Sequence, residues 1–278
     1  MEFEEFFRVE KFPHVFCPGC GNGIVMNCFY RAFNNLGLNL KDTVFVGGIG
    51  CSSRIPMYIK GDMIHTTHGR AIAFATGLKL SNPDLKVIIF AGDGDLGAIG
   101  GNHLINGCRR NADLTVICVN NNTYGMTGGQ VSTTTPHGLL STTTPEGNPE
   151  YPFDLAELAA AAGANYVARW TVRHVHELVK AFEKAMQKEG FSFVEAVSGC
   201  PTGFGRRNRM GDPVQLMEWL KSISVKREKL KTYELDHMDV NTKGLITVGE
   251  FVDRNRMSLL QILNAYREKK AQEEPAIG

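Results

Sequence analysis

The chain has 278 residues, 43% of them hydrophobic, enough for one large core or two modest ones. Its 30 Lys and Arg against 29 Asp and Glu leave a balance of +1, which gives no basic footprint for a nucleic acid. No stretch of ~18 uncharged apolar residues is present, so no membrane span is expected; the first residues mix Glu2, Glu4, Glu5 and Glu10 with phenylalanines, unlike a signal peptide, and a cytoplasmic protein is expected.

In chain order, Ile24 to Leu36 reads as a helix, Thr43 to Gly47 as a strand, Gly69 to Leu80 as a helix and Lys86 to Ala91 as a strand. Leu96 to Arg109 reads as a helix and Leu114 to Val119 as a strand; Phe153 to Ala162 is alanine-rich. Val172, Val175, Leu178, Val179, Phe182 and Met186 recur at helical spacing, which marks one buried face, and Phe191 to Val197 closes the series as a strand. Strand-length apolar runs alternating with helical segments predict an α/β fold, a parallel sheet flanked by helices on both faces.

Two stretches break this rhythm. Thr123 to Pro152 is rich in Gly, Ser, Thr and Pro, and a loop of that length in a compact domain is usually functional or mobile. Cys200 to Pro213 carries Arg206, Arg207 and Arg209 among glycines. Residues 1–224 are expected to form one domain and 225–278 a C-terminal extension, a strand pair with a final helix over Met257 to Lys269. Within it, Asp239 to Glu250 scans as an EF-hand loop, but Lys243 at position 5 removes a ligand and Leu245 to Phe251 reads as a strand, so calcium is not expected.

The densest chemical signal is Gly92-Asp93-Gly94-Asp95, at the end of one apolar run, answered by Asn120-Asn121-Asn122 at the end of another. A hard cation such as Mg2+ wants carboxylate, amide and carbonyl oxygens together with phosphate oxygens, and glycines let backbone approach a diphosphate. Asp95 read alone also suits a helix N-cap, and His65 an ordinary core histidine.

Seven cysteines, an odd number without a secretion signal, argue against a disulfide framework. Cys17 and Cys20 form a Cys-x-x-Cys, Cys51 follows a strand and Cys200 precedes a proline, all in positions where thiolates can turn to one point. Cys28, Cys108 and Cys118 fall inside expected helices or strands, as buried small hydrophobes. Four convergent thiolates suit a structural zinc or an iron-sulfur cluster, and spacing does not choose between them.

Taken together, Cys17-Pro18-Gly19-Cys20-Gly21, Gly48-Ile49-Gly50-Cys51-Ser52, His65-Thr66-Thr67-His68-Gly69-Arg70, Gly92-Asp93-Gly94-Asp95 and Asn121 followed by Tyr124-Gly125-Met126-Thr127-Gly128-Gly129-Gln130 resemble the beta subunit of 2-oxoacid:ferredoxin oxidoreductases. The resemblance runs from about Phe12 to Asp212 and continues more weakly to the end. It implies a thiamine diphosphate-binding fold with Mg2+ held by Asp93, Asn121 and the Thr123 carbonyl. Gly50, Cys51, Ser52, Gly92, Gly94, Asp95 and the Gly125-Met126-Thr127 turn would surround the cofactor, Met126 as the wedge that keeps it bent, with His68 lining the site. One [4Fe-4S] cluster on Cys17, Cys20, Cys51 and Cys200 is implied in place of zinc.

The implied reaction is decarboxylation of a 2-oxoacid, with electrons leaving singly through the cluster to ferredoxin and the acyl group passing to coenzyme A. The Glu that activates thiamine is absent from these motifs, and in the family an alpha subunit supplies it, so an α2β2 complex is expected. Arg54, after Cys51-Ser52-Ser53, suits a second substrate carboxylate, which makes 2-oxoglutarate the first choice; a solvated or partner-facing Arg54 is the alternative. The Arg206 to Arg209 stretch resembles the 2-oxoglutarate branch, and by its chemistry suits coenzyme A phosphates, an acidic ferredoxin or a solvated loop.

Overall fold

The structure, a computed structural model, describes residues 1–229 and 244–273. Among these, eight strands form one sheet in the order β2 (Asp62–His65), β1 (Thr43–Gly47), β3 (Lys86–Gly92), β4 (Thr115–Asn120), β8 (Ser192–Val197), β7 (Tyr166–Thr171), β10 (Ile246–Asp253) and β9 (Ser224–Lys226). All neighbours are parallel except β10 on β7, which is antiparallel. A short antiparallel pair, β5 (Thr123–Tyr124) with β6 (Gln130–Val131), stands apart.

Strands covered on both faces need no polar alternation, and β1, β4 and β8 are buried at every residue. Successive side chains serve opposite layers. Phe45, Ile88, Phe90, Ile117 and Val194 pack toward α2 (Asn22–Asn35) and α6 (Val175–Gln187). Val46, Ile89, Ala91, Val116 and Phe193 pack toward α3 (Ala71–Ser81), α4 (Gly101–Arg110) and α5 (Leu155–Ala162). The first layer is unusually aromatic: Phe29 of α2, fully buried, sits 4.9 Å from the Phe90 ring and 5.8 Å from that of Phe33.

The expected strands and helices form within four residues of their expected ends, with three informative departures. The helix expected over Leu96 to Arg109 is interrupted by a π-helical turn, Asp95–Ile99, before α4 begins. Its exit needs Gly100, where a Cβ would lie 2.3 Å from the Asp95 carbonyl oxygen. Strand β7 was not expected because Arg169 sits at its centre; that side chain is 5% exposed and paired with Asp154 and with Glu195 (2.7 Å), so the charge lies inside the sheet layer. The edge strand β2 likewise lacks an apolar run.

The C-terminal strand does more than pair with β9. Strand β10 lies between β9 and β7 in the same sheet, so the expected boundary at residues 224 and 225 falls within β9. Glu250, the last position of the EF-hand-like spacing, is committed to Lys184 (2.9 Å) and Tyr166 (3.0 Å), while Asp239, Asn241 and Lys243 lie outside the described residues. No helix among the described residues is long and apolar enough to cross a membrane.

Because β2, β1, β3, β4 and β8 run parallel, their C-terminal ends line up on one edge, the usual place for a ligand in an open α/β sheet. The register puts Gly47 beside Phe90, Gly92 beside Val119 and Asn120 beside Val197. The loops that follow these strands carry nearly all the candidate residues. Replacing Phe29 by Ala should remove about 3–5 kcal/mol of stability, read as a shifted denaturant midpoint with an unchanged slope, since it empties the centre of the aromatic layer.

Candidate active site

Asp93 follows β3 directly and is 2% exposed. Its Oδ1 accepts from the Asn121 backbone N–H (3.3 Å), and its Oδ2 accepts from the hydroxyls of Thr134 (2.6 Å) and Ser132. Burial pushes the carboxyl above its ordinary range, and the bonds from Ser132, Thr134 and Asn121 oppose that push; no cation faces it among the described residues. Asn121 follows β4, and its Oδ1 accepts from the Thr123 N–H (3.3 Å). The Thr123 carbonyl accepts from Gly125 N–H (3.0 Å), which leaves a second lone pair. The three expected metal ligands are thus brought to one strand edge, two of them tied directly to Asn121.

Behind them runs a polar strut that sequence reasoning missed. Thr134 Oγ1 also lies 3.0 Å from Asn120 Oδ1, Asn120 Nδ2 donates to Glu195 Oε1 (2.8 Å), and Arg169 Nε donates to Glu195 Oε2 (2.7 Å). Arg169 continues to Asp154, the N-cap of α5. A cavity of about 240 Å³ lies against this strut, bordered by Asn122, Asp154, Arg169 and Glu195. The run Ser132 to Thr135 was the available signal: four hydroxyls close to the Asn triplet.

The glycines of the site are close approaches. At Gly48 a Cβ would lie 1.7 Å from Asp95 Oδ2, and at Gly94 one would strike the Tyr124 ring at 2.3 Å. Tyr124 OH donates to the Gly94 carbonyl (3.2 Å). Asp95 does not cap its own helical turn. It accepts from the Gly69 N–H (2.7 Å) and the Ile49 N–H (3.2 Å), stapling the β1 and β2 loops to the β3 end. His68 Nδ1 stands 2.5 Å from Asp95 Oδ1, close enough for an ion pair. His65 is exposed at the end of β2 rather than in the core.

The four expected cysteines do meet. Cys17, Cys20, Cys51 and Cys200 line one cavity of about 450 Å³, together with Arg54, Asn121, Gly125 and Met126. Burial pushes the Cys51 thiol up to about 11, and the neighbouring Cys20, Cys200 and Cys17 push the same way. Asn22 Nδ2 donates to Cys20 Sγ (3.3 Å), and the Gly203 N–H donates to Cys200 Sγ (3.3 Å). All seven cysteines are free, and Cys28, Cys108 and Cys118 are buried in α2, α4 and β4.

Gly125 joins the two halves. A Cβ there would lie 3.3 Å from Cys200 Sγ, 3.7 Å from Asn121 Nδ2 and 4.0 Å from Cys51 Sγ. Ser52 is buried beside Gly92, whereas Met126 and Thr127 are exposed on the turn between β5 and β6, with Thr127 Oγ1 bonded to Gln130 (2.6 Å). Gly50 has φ +129°, open to glycine, where the chain turns toward Cys51.

Residues 48–196 match the family model of the thiamine pyrophosphate enzyme C-terminal TPP binding domain, so the chain belongs to the thiamine pyrophosphate enzymes. Within that class it belongs to the family of the 2-oxoglutarate synthase subunit KorB. It is 53% identical to that protein of Methanothermobacter marburgensis over 267 residues, 96% of this chain and 92% of the relative. With the protein of the same name in Methanocaldococcus jannaschii it shares 52% over 265 residues, 95% and 97% of the two chains. It is also 34% identical to a 2-oxoacid:ferredoxin oxidoreductase subunit beta of Saccharolobus solfataricus, covering 94% of this chain and 86% of that one. Among solved structures, it matches a 2-oxoglutarate:ferredoxin oxidoreductase from Magnetococcus marinus with 2-oxoglutarate, coenzyme A and succinyl-CoA bound, with a TM-score of 0.86 and 32% identity over 98% of this chain and 91% of that one.

The Asp95 staple gives a test free of any assay for turnover. Gly48→Ala must displace a carboxylate that two backbone N–H groups hold, so it should cost about 1–3 kcal/mol and weaken thiamine diphosphate binding in calorimetry. Binding and melting unchanged from wild type would show that the staple is slack.

Proposed function

We propose that this chain is the beta subunit of a 2-oxoglutarate:ferredoxin oxidoreductase. The reaction is the coenzyme A-dependent oxidative decarboxylation of 2-oxoglutarate to succinyl-CoA and CO2, or its reverse, with electrons exchanged with ferredoxin through one [4Fe-4S] cluster. The observation that carries this reading is the cavity that four cysteines share with Gly125 and with Asn121, whose backbone N–H donates to the Asp93 carboxylate.

The residues fit the groups the reading requires. Asp93 is a buried carboxylate held by three donors with no cation beside it among the described residues, the situation a divalent cation resolves. Asn121 Oδ1 and the Thr123 carbonyl would complete the Mg2+ contacts, and Gly92 and Gly94 keep side chains away from a diphosphate. An outlet for electrons favours a cluster over zinc, because zinc has no redox chemistry and a cubane held by four thiolates does. The donors from Asn22 and Gly203 to sulfur would steady the ligand thiolates.

Bound thiamine diphosphate supplies an electron sink for loss of CO2, and the cluster supplies one-electron steps. The chain's own part is positioning. His68, backed by Asp95, borders the cofactor side of the β2 loop and can hold a proton at Nε2. Arg54 lines the cavity, bonds only to the Met57 thioether (3.8 Å) and makes no ion pair among the described residues, so its guanidinium is open to the distal carboxylate of 2-oxoglutarate. Glu195, the buried glutamate of this region, has both oxygens taken by Asn120 and Arg169 and faces the strut. The activating Glu is therefore assigned to an alpha subunit, in an α2β2 assembly whose beta chain alone is inactive.

Iron and sulfide analysis of anaerobically purified protein should give about four of each per chain; zinc without iron would refute the redox reading in favour of a non-redox thiamine decarboxylase. The assembled complex, offered 2-oxoglutarate, pyruvate and branched 2-oxoacids, should prefer the first. Arg54→Ala should raise KM for 2-oxoglutarate about ten- to a hundredfold and leave pyruvate turnover, however small, little changed. A strong wild-type preference for pyruvate would remove the role given to Arg54.

A further inference from the structure

The turn that carries Cys200 to the shared cavity runs directly into a basic loop. Arg206, Arg207 and Arg209 are exposed, and their side chains make no hydrogen bond or ion pair among the described residues. Asn208, between them, does the opposite. Its Oδ1 accepts from the Leu140 N–H (2.8 Å), and its Nδ2 donates to the carbonyls of Leu140 (3.0 Å) and Phe204 (3.0 Å). The backbone is fixed as well, by Met210 N–H to the Gly205 carbonyl (2.9 Å) and by a φ of +55° at Arg209, an unfavourable angle for a side chain of that size. A loop pinned through its neutral member fixes the backbone from which three exposed arginine side chains reach into solvent.

The same segment borders the open side of the cysteine cavity. Thr202 Oγ1 lies 3.7 Å from Cys200 Sγ and 3.8 Å from Cys17 Sγ, and Cys17 is the exposed one of the four cysteines. The whole chain carries a net charge of only +1, so the three unpaired arginines, on the segment that continues from the cavity-lining Pro201 and Thr202, are a local excess of positive charge.

Resting on the redox reading above, we infer that Arg206, Arg207 and Arg209 are the docking surface for the acidic electron-carrier protein, the ferredoxin of that reaction. The step it serves is transfer of one electron from the reduced cluster to the oxidised carrier, or back, with no bond made or broken. Electron-transfer complexes are small and short-lived, so a few charges set the encounter rate, and salt weakens them.

The test uses the assembled complex carrying Arg206→Glu, Arg207→Glu and Arg209→Glu together, compared with a triple change to Gln. Reduction is followed with ferredoxin and with methyl viologen, a small dye that needs no acidic docking face, across a range of salt. The kcat/KM for ferredoxin should fall about tenfold or more in the Glu variant and less in the Gln variant. The fall of the wild-type rate with added salt should flatten, while methyl viologen turnover, KM for coenzyme A and co-purification with the alpha subunit stay as in wild type. Unchanged ferredoxin kinetics would overturn the proposal, as would a raised KM for coenzyme A, which would assign the arginines to its phosphates, or loss of the alpha subunit, which would assign them to the subunit interface. A wild-type complex that reduces neither acceptor with 2-oxoglutarate would overturn the redox reading itself.

Discussion

Asp93 closes the central strand β3 as a carboxylate shut away from water, and much of the surrounding structure is arranged around keeping it there. Three donors from two different loops converge on its oxygens, yet none brings a positive charge. A charge in that position is costly unless a cation completes it. The loop from Thr123 to Pro152 passes the cysteine cavity at Gly125 and then returns Ser132 and Thr134 to the end of β3.

The strut behind the site extends this arrangement through the sheet. Thr134 meets Asn120, Asn120 meets Glu195 on β8, and Arg169 on β7 links Glu195 to the N-cap of α5. Buried ionic groups of this kind contribute little net stability, while removal of one partner is strongly destabilising. Their effect here is positional: side chains from β4, β7 and β8 are locked to one another just beneath the residues that would hold a metal. The same parallel edge places Gly48, Asp93, Asn121 and Cys200 on neighbouring loops, so cofactor and cysteine halves are built by one topological decision.

Much of this was legible in the sequence, for identifiable reasons. Uninterrupted apolar runs mark strands buried on both faces, which is why β1, β3, β4 and β8 could be read, and the Gly-rich strand ends with Asp93 and Asn121 state their chemistry locally. The four cysteines separate from the three in helices and strands by their Gly and Pro neighbours. What could not be read was long-range pairing of polar groups. Arg169 reads as a surface residue until Glu195 and Asp154 are beside it, and Ser132 and Thr134 read as loop until Asp93 is. Asp95, expected at the diphosphate or as a helix cap, is seen to fasten two other loops, a role that depends on the approach of Gly48 and Gly69 and leaves no local trace.

On the proposed reading, a thiamine diphosphate site and a redox cluster form one continuous site across Gly125. The most direct measurement is anaerobic absorbance and electron paramagnetic resonance of the assembled complex as 2-oxoglutarate is added without ferredoxin. Wild type should show bleaching of the brown cluster absorbance and a new paramagnetic signal, both lost in Asp93→Ala even though its iron content is unchanged. Iron-loaded wild type that turns over 2-oxoglutarate with no change in cluster absorbance would contradict that reading.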